Sequence, residues 1–242
     1  MTIRTALVTG ATDGIGLEIA RALTARGVAV IGTGRNLPGE GDARSAACER
    51  WVSADQNDPA SAVKAITAAL PEPIDCVILC AGTGTVQNDP TGAEGAETIR
   101  RTLRVNLDAT ILIAHALAPM LLERGGTLVL IGSVARTGAA IMPSYAASKA
   151  GLHGFARAMG EEWRGRATVA MLHPGPTRTA MHGKAGLNVG FAKRFFVPAD
   201  VMARTIVART LRAHRTLRPH IADVAHRANA GRWAASALGW KR

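Results

Sequence analysis

The sequence predicts an α/β fold: one domain built on a doubly wound parallel sheet, with helices on both faces. Short runs that are apolar throughout alternate with longer segments that carry a helical pattern. Uniformly apolar strands are typical of parallel sheets that are covered on both sides. The chain of 242 residues is long enough for one sizeable core. No internal repeat or linker divides it, so residues 1–242 are predicted to form a single domain.

The predicted elements follow one another in a regular order. The first strand covers 6–8 and ends in Thr9 and Gly10, after which a helical pattern runs from Ile15 to Gly27. Further strands are predicted at 28–31, 51–52, 76–79, 127–131 and 168–172. Further helices are predicted near 59–70, 95–122, 144–164 and 199–213. The segment between Arg35 and Trp51 is rich in Gly and Pro, so its helix should be short.

The net charge of +11 is unevenly distributed along the chain. Residues 1–160 hold 14 Lys+Arg and 14 Asp+Glu, whereas residues 161–242 hold 15 and 4. The basic segment 199–242 begins with arginines spaced as on the solvated face of an amphipathic helix: Arg204, Arg209, Arg212, Arg215 and Arg218. An acidic partner or an anionic substrate is the alternative reason for this charge. No recognised nucleic-acid motif accompanies it, so no nucleic-acid partner is expected.

The sequence also indicates a compartment. It has no run of eighteen uncharged apolar residues, and its N-terminus lacks the layout of a secretory signal, so we expect a cytoplasmic protein without a membrane partner. Cys76 and Cys80 lie on one predicted strand roughly 13 Å apart, too far for a shared disulfide or metal. With Cys48 they are expected to be reduced thiols. We expect no metal site, and Trp233 and Trp240 indicate oligomer packing rather than membrane contact.

The turn "TGATDGIG" places Gly10, Gly14 and Gly16 between the first strand and the first helix. In such a turn Gly10 permits the tight bend, Gly14 lets the backbone approach a pyrophosphate, and Gly16 lets helix and strand pack closely. The position of this trio at the first strand–helix turn of an α/β pattern predicts a dinucleotide site.

The end of the second strand indicates which dinucleotide is bound. A cofactor with a free ribose usually meets an Asp or Glu there, but the sequence reads Gly32-Thr33-Gly34-Arg35-Asn36. Arg35 can bind a 2′-phosphate through two parallel hydrogen bonds, which favours NADP(H) over NAD(H). The alternative is that Arg35 is a solvated loop residue.

The only tyrosine of the chain, Tyr145, lies four residues before Lys149 in a helical pattern. Residues i and i+4 lie on the same face of a helix, so the ammonium of Lys149 is predicted to lie near the phenol. A nearby cation lowers the pKa of a phenol from its ordinary value of about 10. The pair, together with the positive charge of an oxidised nicotinamide, is therefore predicted to make Tyr145 a general acid and base.

These motifs, in this order, closely resemble those of the short-chain dehydrogenase/reductase family. The resemblance rests on the Gly-x3-Gly-x-Gly spacing, on Ser133 twelve residues before Tyr145, and on the Tyr-x3-Lys pair. It extends from Thr5 to about Thr179. It implies a Rossmann-like fold and an oxidoreductase that transfers hydride between NAD(P)(H) and a carbonyl or secondary alcohol.

The resemblance also implies catalytic roles. Ser133 would hydrogen-bond the carbonyl oxygen of the substrate, Tyr145 would protonate that oxygen, and Lys149 would also hold the ribose of the nicotinamide. Asn106 matches the asparagine that anchors a water for proton relay in this family. The alternative for Asn106 is a packing amide or a residue at a helix kink.

Further residues match the positions that contact the cofactor in the family. Asp55 would bind the adenine, and Asp13 stands beside the phosphate turn, where some NADP-dependent relatives carry a base. The full implied set is Gly10, Thr12, Asp13, Gly14, Ile15, Gly16, Arg35, Asn36, Asp55, Ala81, Gly82, Tyr145, Lys149, Pro174, Gly175, Thr177 and Thr179.

The chain departs from the family pattern after the fourth strand. Relatives usually carry Asn-Asn-Ala-Gly there, whereas this chain reads Leu79-Cys80-Ala81-Gly82. Because the family uses those asparagines to brace the central sheet, we expect some loss of rigidity without loss of chemistry. Cys80 is expected to be a buried small hydrophobic residue, and a redox switch is the alternative.

The substrate is left open by the sequence. Residues 180–198 fall where the family places its mobile substrate lid, with apolar residues Met181, Leu187, Phe191, Phe195 and Phe196 and basic residues Lys184, Lys193 and Arg194. These residues suit a β-ketoacyl thioester on an acidic carrier protein or coenzyme A, or a free apolar ketone or alcohol. The resemblance implies a homodimer or homotetramer. A catalytically silent NADP(H) sensor is the second functional class, and an intact tetrad argues against it.

Overall fold

A computed structural model describes residues 2–70, 74–86, 94–184, 186, 194, 196–214 and 216–224. Seven parallel strands form the main sheet, in the order β3-β2-β1-β4-β5-β6-β9. The strands are β1 (Thr5–Thr9), β2 (Ala29–Gly34), β3 (Arg50–Ser53), β4 (Cys76–Leu79), β5 (Thr127–Ile131), β6 (Thr168–Pro174) and β9 (His220–Val224). Two short strands, β7 (Thr177–Arg178) and β8 (Val197–Pro198), pair with each other. The predicted doubly wound parallel sheet is confirmed.

The helices cover both faces of this sheet. They are α1 (Gly14–Thr24), α2 (Pro59–Ala69), α3 (Ala96–Leu103), α4 (Ala109–Arg124), α5 (Pro143–Glu162), α6 (Met181–Lys184) and α7 (Ala199–His214). The segment between Arg35 and Trp51 holds only a short 3₁₀ turn at Ser45–Ala47, as its composition predicts.

The core lies in two layers, because successive strand residues point to opposite faces of the sheet. On β1, the side chains of Ala6 and Val8 face the layer that contains α1 and α7, whereas Leu7 faces the layer of α2, α4 and α5. All three are fully buried. The middle of β1 is therefore apolar on both sides of the sheet.

The strand order reverses between β1 and β4, since β2 and β3 follow β1 in one direction and β5, β6 and β9 follow β4 in the other. Ligands of open α/β sheets bind at such a reversal, beyond the carboxyl ends of the strands. The hydroxyl of Thr9 bridges the two strands there, accepting hydrogen bonds from the backbone nitrogens of Cys80 (3.0 Å) and Ala81 (3.2 Å). This reversal positions the site described below.

The helix predicted at 95–122 differs from the observed element. A π-helical turn at Arg104–Asp108 joins α3 to α4 in one continuous run, Ala96–Arg124. The run is long and apolar enough to cross a membrane, a property that core helices of soluble proteins share, and α4 packs against α2, β4 and β5. The π turn contains Asn106, and single π turns inside helices are frequent at functional sites.

The C-terminal third differs most from the prediction. Strand β9 was not predicted, because its residues alternate between half-buried and exposed at the edge of the sheet, without an apolar run. Arg204 and Arg212 lie on the exposed face of α7, as predicted, but Arg218 lies beyond the end of that helix. Arg215, Trp233 and Trp240 lie outside the described residues.

Candidate active site

The glycine turn after β1 is built by close backbone contacts. Gly10 has φ +67°, and a Cβ added there would lie 2.7 Å from the α carbon of Ala81, in the loop after β4. A Cβ at Gly16 would overlap the carbonyl oxygen of Gly10. Both positions therefore require glycine: Gly10 for the turn and its contact with the loop after β4, and Gly16 for the packing of α1 on β1.

The start of α1 carries the residues predicted to meet a pyrophosphate. Gly14 has φ +55° and faces the side chain of Thr179. A Cβ added to Gly14 would lie 3.3 Å from the Cγ2 atom of Thr179. Asp13 precedes the helix, and its carboxylate accepts a hydrogen bond from the Gly14 nitrogen at 2.7 Å. Thr179 therefore lies beside the turn, although the two are far apart in sequence.

Two arginines follow β2: Arg35 directly after the strand, and Arg44 further along the loop, where it contacts the glycine turn. Arg35 and Asn36 are exposed, and Thr12 covers the face of Gly34. Arg44, which the sequence did not single out, donates to the carbonyl oxygen of Thr12 at 3.1 Å. Arg44 also pairs with Asp42, and hydrogen bonds from Arg44 lower the pKa of Asp42 to about 2. No local spacing marks Arg44, because its contact with Thr12 depends on the path of the loop.

Asp55 lies at the end of β3, where it was predicted to meet an adenine. It is exposed, and its carboxylate accepts a hydrogen bond from the nitrogen of Asn57 at 3.0 Å. This bond fixes the turn that precedes α2.

Ser133, Tyr145 and Lys149 meet at the carboxyl end of β5. Ser133 precedes a 3₁₀ turn at Val134–Thr137, and its hydroxyl oxygen accepts from the Ala135 nitrogen at 3.1 Å. The Ser133 side chain also interacts with the phenol of Tyr145 and favours its charged form. Lys149 is 4% exposed, and its ammonium lies 5.7 Å from the centre of the Tyr145 ring and donates to the carbonyl oxygen of Ile131 at 3.0 Å. The sheet end and the first turns of α5 thus assemble the predicted residues.

The pKa of Tyr145 differs from the sequence-based expectation. Burial raises the pKa of Tyr145 above its ordinary value, and the Ser133 side chain opposes this only in part. Burial also lowers the pKa of Lys149 to about 8. In the protein alone, desolvation outweighs the effect of Ser133, so the phenol is protonated at neutral pH.

Asn106 is completely buried and uses its side chain to hold the loop after β4. Its amide oxygen accepts from the Thr83 nitrogen at 2.7 Å, and its amide nitrogen donates to the Thr83 carbonyl at 2.8 Å. The same nitrogen donates to the Ser148 hydroxyl at 3.1 Å, and that hydroxyl donates to the carbonyl of Tyr145 at 2.7 Å. This geometry matches the packing amide that sequence reasoning kept as an alternative, and it also connects Asn106 to α5.

The loop after β4 passes close to these groups. A Cβ at Gly82 would lie 3.4 Å from the amide oxygen of Asn106 and 3.7 Å from the ammonium of Lys149. Cys80 is half-buried, and burial raises the pKa of its thiol to about 11, with Lys149 opposing. Cys80 is therefore a neutral thiol beside the site. The family's asparagines, which brace the central sheet, are absent here. Thr9 braces the loop after β4 in part, because its hydroxyl accepts from the backbone nitrogens of Cys80 and Ala81.

The turn after β6 and part of the predicted lid complete the site. Pro174 ends β6, and the hydroxyl of Thr177 donates to the carbonyl of Gly175 at 2.9 Å.

Gly84 is covered by Met142 and Met181 as well as by Tyr145, which gives the site an apolar wall. In the lid, Phe196 is buried and Arg194 is exposed. The backbone of Lys184 ends α6, but its side chain lies outside the described residues, as do Leu187, Phe191, Lys193 and Phe195.

Glu94 is a contact that sequence reasoning missed. Its carboxylate accepts from the backbone nitrogen of Ser144 at 2.9 Å and from the Ser144 hydroxyl at 3.0 Å. It therefore caps α5 one residue before Tyr145, where a negative charge stabilises the start of a helix. Glu94 lies fifty residues before Ser144, so no local capping motif reveals it.

Comparisons with known proteins agree with this geometry. The family model of the short chain dehydrogenases matches residues 4–189. The uncharacterized oxidoreductase YciK of Escherichia coli is 32% identical over 216 residues, which cover 82% of this chain and 83% of that protein. The 3-oxoacyl-[acyl-carrier-protein] reductase FabG of Salmonella typhimurium is 33% identical over 181 residues, covering 73% and 74%. A short chain dehydrogenase structure from Shigella flexneri, complexed with NADP, has a TM-score of 0.75 and 27% identity, covering 92% and 97%.

Proposed function

This chain belongs to the short-chain dehydrogenase/reductase family of oxidoreductases, and we propose that it is an NADP(H)-preferring ketone reductase, or an alcohol dehydrogenase in the reverse direction. The observation that carries the proposal is the meeting of Ser133, Tyr145 and Lys149 beside Gly82, at the strand-order reversal. We propose the cytoplasm as its location and a homodimer or homotetramer as its state.

The residues fit a nicotinamide cofactor. The ammonium of Lys149 is buried and charged, yet the carbonyl of Ile131 is the one acceptor that the described residues give it within hydrogen-bond distance. Buried charges need partners, and ribose hydroxyls beside Gly82 would supply them. The glycine turn, with Thr179 beside it, would hold the pyrophosphate at the start of α1.

When bound, the cofactor supplies the hydride. Tyr145 donates its phenolic proton to the carbonyl oxygen of the substrate, and Ser133 holds that oxygen through its hydroxyl. The raised pKa of Tyr145 keeps the phenol in the acid form, which suits the reductive direction. Lys149 places a cation near the phenolate that forms, while Asn106 and Ser148 fix the backbone of α5 at Tyr145.

The preference for NADP(H) rests on the end of β2. Arg35 is exposed there, and no carboxylate stands among Gly32-Thr33-Gly34-Arg35-Asn36. The similar structure from Shigella flexneri that is complexed with NADP supports this preference.

Arg35→Ala tests the preference. We expect NADPH affinity to fall by about ten- to a hundredfold, because a charge-assisted phosphate contact is lost, with NADH affinity unchanged within about twofold. Calorimetric titration with both cofactors measures this, and Arg26→Ala, at an exposed arginine beyond α1, is the matched control. Equal losses for NADPH and NADH would refute the phosphate role of Arg35.

The proposed substrate is an apolar ketone or a β-ketoacyl thioester. The methionines around Gly84 favour an apolar group, and the similarity to an acyl-carrier-protein reductase favours the thioester. A panel of apolar ketones, β-ketoacyl thioesters and secondary alcohols, followed through nicotinamide absorbance with both cofactors, tests the activity. Turnover of at least one class is expected, whereas cofactor binding without turnover of any class would favour the silent sensor.

A further inference from the structure

Two histidines lie behind Ser133 and take no part in the proposed reaction. His153 lies on α5, eight residues after Tyr145, and His173 lies on β6, next to Pro174. The Nδ1 atom of His153 is 3.0 Å from the Nε2 atom of His173, and the ring centres are 5.1 Å apart. One N–H group lies between these nitrogens, so at least one of the two must be unprotonated.

The ring of His173 fills the space between the ends of β5 and β6. His173 is completely buried, and a Cβ at Gly132 would overlap its Nδ1 atom. Within the described part of the chain, this Nδ1 atom has no hydrogen-bond partner. Gly132 donates to the carbonyl of Leu172 at 2.8 Å and is followed directly by Ser133. Any movement of the His173 ring therefore reaches the backbone that carries Ser133.

Charged groups from three elements face the pair. Arg136 comes from the 3₁₀ turn after Ser133, Arg157 from α5 and Asp223 from β9. Arg136 and Asp223 form an ion pair at 2.9 Å. Burial, with Arg136 adding to it and Asp223 opposing, lowers the pKa of His173 to about 4. Burial, Arg136 and Arg157 likewise lower the pKa of His153, so both rings are neutral at pH 7.

We infer that His153 and His173 are positioning residues for the proposed reaction: the neutral pair holds the end of β5, with Ser133, against the end of β6, which leads into the Pro174–Gly175 turn. The inference rests on the proposed function. The Ser133 side chain interacts with the Tyr145 phenol, so displacement of the Ser133 backbone would break the alignment of the oxygen-binding and proton-donating groups. Neither histidine touches the reacting atoms.

Acid is expected to open the pair. A proton on His173 places a charge in a buried site that already faces the Arg136 cation, and the attraction of Asp223 does not offset the loss of hydration. The folded pKa of about 4 lies below the ordinary value of 6.5. Between these values the unfolded chain binds more protons, so stability falls as pH drops from about 6.5 to about 4.

Three variants test the inference. His173→Leu removes the hydrogen bond, His173→Gln keeps a polar group near the His153 nitrogen without titrating, and His115→Gln, at an exposed histidine on α4, is the control. For each, kcat and KM are measured from pH 4 to 8, and hydrogen exchange of residues 131–137 is measured at pH 7.

We expect His173→Leu to lower kcat about tenfold or more, with KM for the cofactor within about twofold, because misplacement of a reacting group costs turnover. Hydrogen exchange of the backbone amides of residues 131–137 should be faster in this variant than in the wild type. His173→Gln should retain most of kcat at pH 7.5 and should lose less activity than the wild type below about pH 5, where the His173 ring, with its pKa of about 4, begins to take up a proton. His115→Gln should match the wild type in every measurement.

The outcomes separate this inference from the proposed function. If the wild type reduces a substrate and His173→Leu matches His115→Gln in kcat and exchange, the inference is overturned. If the wild type reduces no substrate in the panel, the proposed function fails, and the exchange rates alone decide on the pair. If His173→Leu does not fold, His153→Gln, at a half-buried site, must show the same losses to a smaller degree; wild-type values there would overturn the inference.

Discussion

The two ends of the site are built in different ways. At the cofactor end, the centre of the glycine turn is close backbone packing within one strand–turn–helix unit, where Gly10 and Gly16 lie six residues apart and contact each other. At the chemical end, Ser133, Tyr145 and Asn106 come from three separate elements and are aligned by hydrogen bonds that span up to 42 residues. The cofactor end therefore depends on the absence of side chains, and the chemical end depends on the presence of a few polar ones.

We expect one added methyl group in the glycine turn to disrupt both the packing of α1 and the binding of the cofactor. In Gly16→Ala, the Cβ would overlap the Gly10 carbonyl, which is backbone and unable to rotate away. We expect a loss of about 1–3 kcal/mol or more in the free energy of unfolding, as in overpacked cores. We also expect at least about tenfold weaker NADPH binding, because α1 is displaced from the turn.

The same substitution at Gly154 is the matched control. Gly154 lies on α5, is exposed, and has nothing within 4 Å of an added Cβ. Gly154→Ala should leave binding unchanged and stabilise the helix by about 0.5–1 kcal/mol. Denaturant unfolding and calorimetric titration measure both variants, and equal effects at the two glycines would contradict the close-packing account.

The chemical end is expected to respond in turnover more than in cofactor binding. Asn106→Ala leaves the backbone nitrogen and carbonyl of the half-buried Thr83 without their Asn106 partners, at a cost of about 1–3 kcal/mol in stability. We expect kcat to fall about tenfold through misplacement of the loop and of Tyr145, with NADPH affinity within about threefold of the wild type.

Asn57→Ala is the control for that variant, because Asn57 is an exposed asparagine just before α2 whose side chain accepts only a long hydrogen bond, 3.5 Å, from Arg104. It should change neither stability nor kcat. If Asn106→Ala were as stable and active as Asn57→Ala, the clamp on Thr83 would have no role in the site.

At both ends of the site, the sequence predicted the residues that form local patterns and missed the contacts between distant segments. The glycine turn and the Tyr145–Lys149 spacing are local patterns, so their place in the fold follows from short segments. The contacts of Arg44 with Thr12 and of Glu94 with Ser144 depend on the paths of long loops, and no spacing rule encodes them. Strand β9 lacks an apolar run because it lies at a sheet edge. The rise in the Tyr145 pKa in the protein alone was not predicted, because spacing reveals a neighbouring cation but not the depth of burial.

Tyr145→Phe tests most directly whether Tyr145 donates its proton to the carbonyl oxygen of the substrate. The variant keeps the ring beside Lys149 and removes only the hydroxyl. The account predicts NADPH binding within about twofold of the wild type and a loss of kcat of at least about a hundredfold, as for a missing general acid. Turnover at the wild-type rate in Tyr145→Phe, measured with the substrate that the panel identifies, would contradict it.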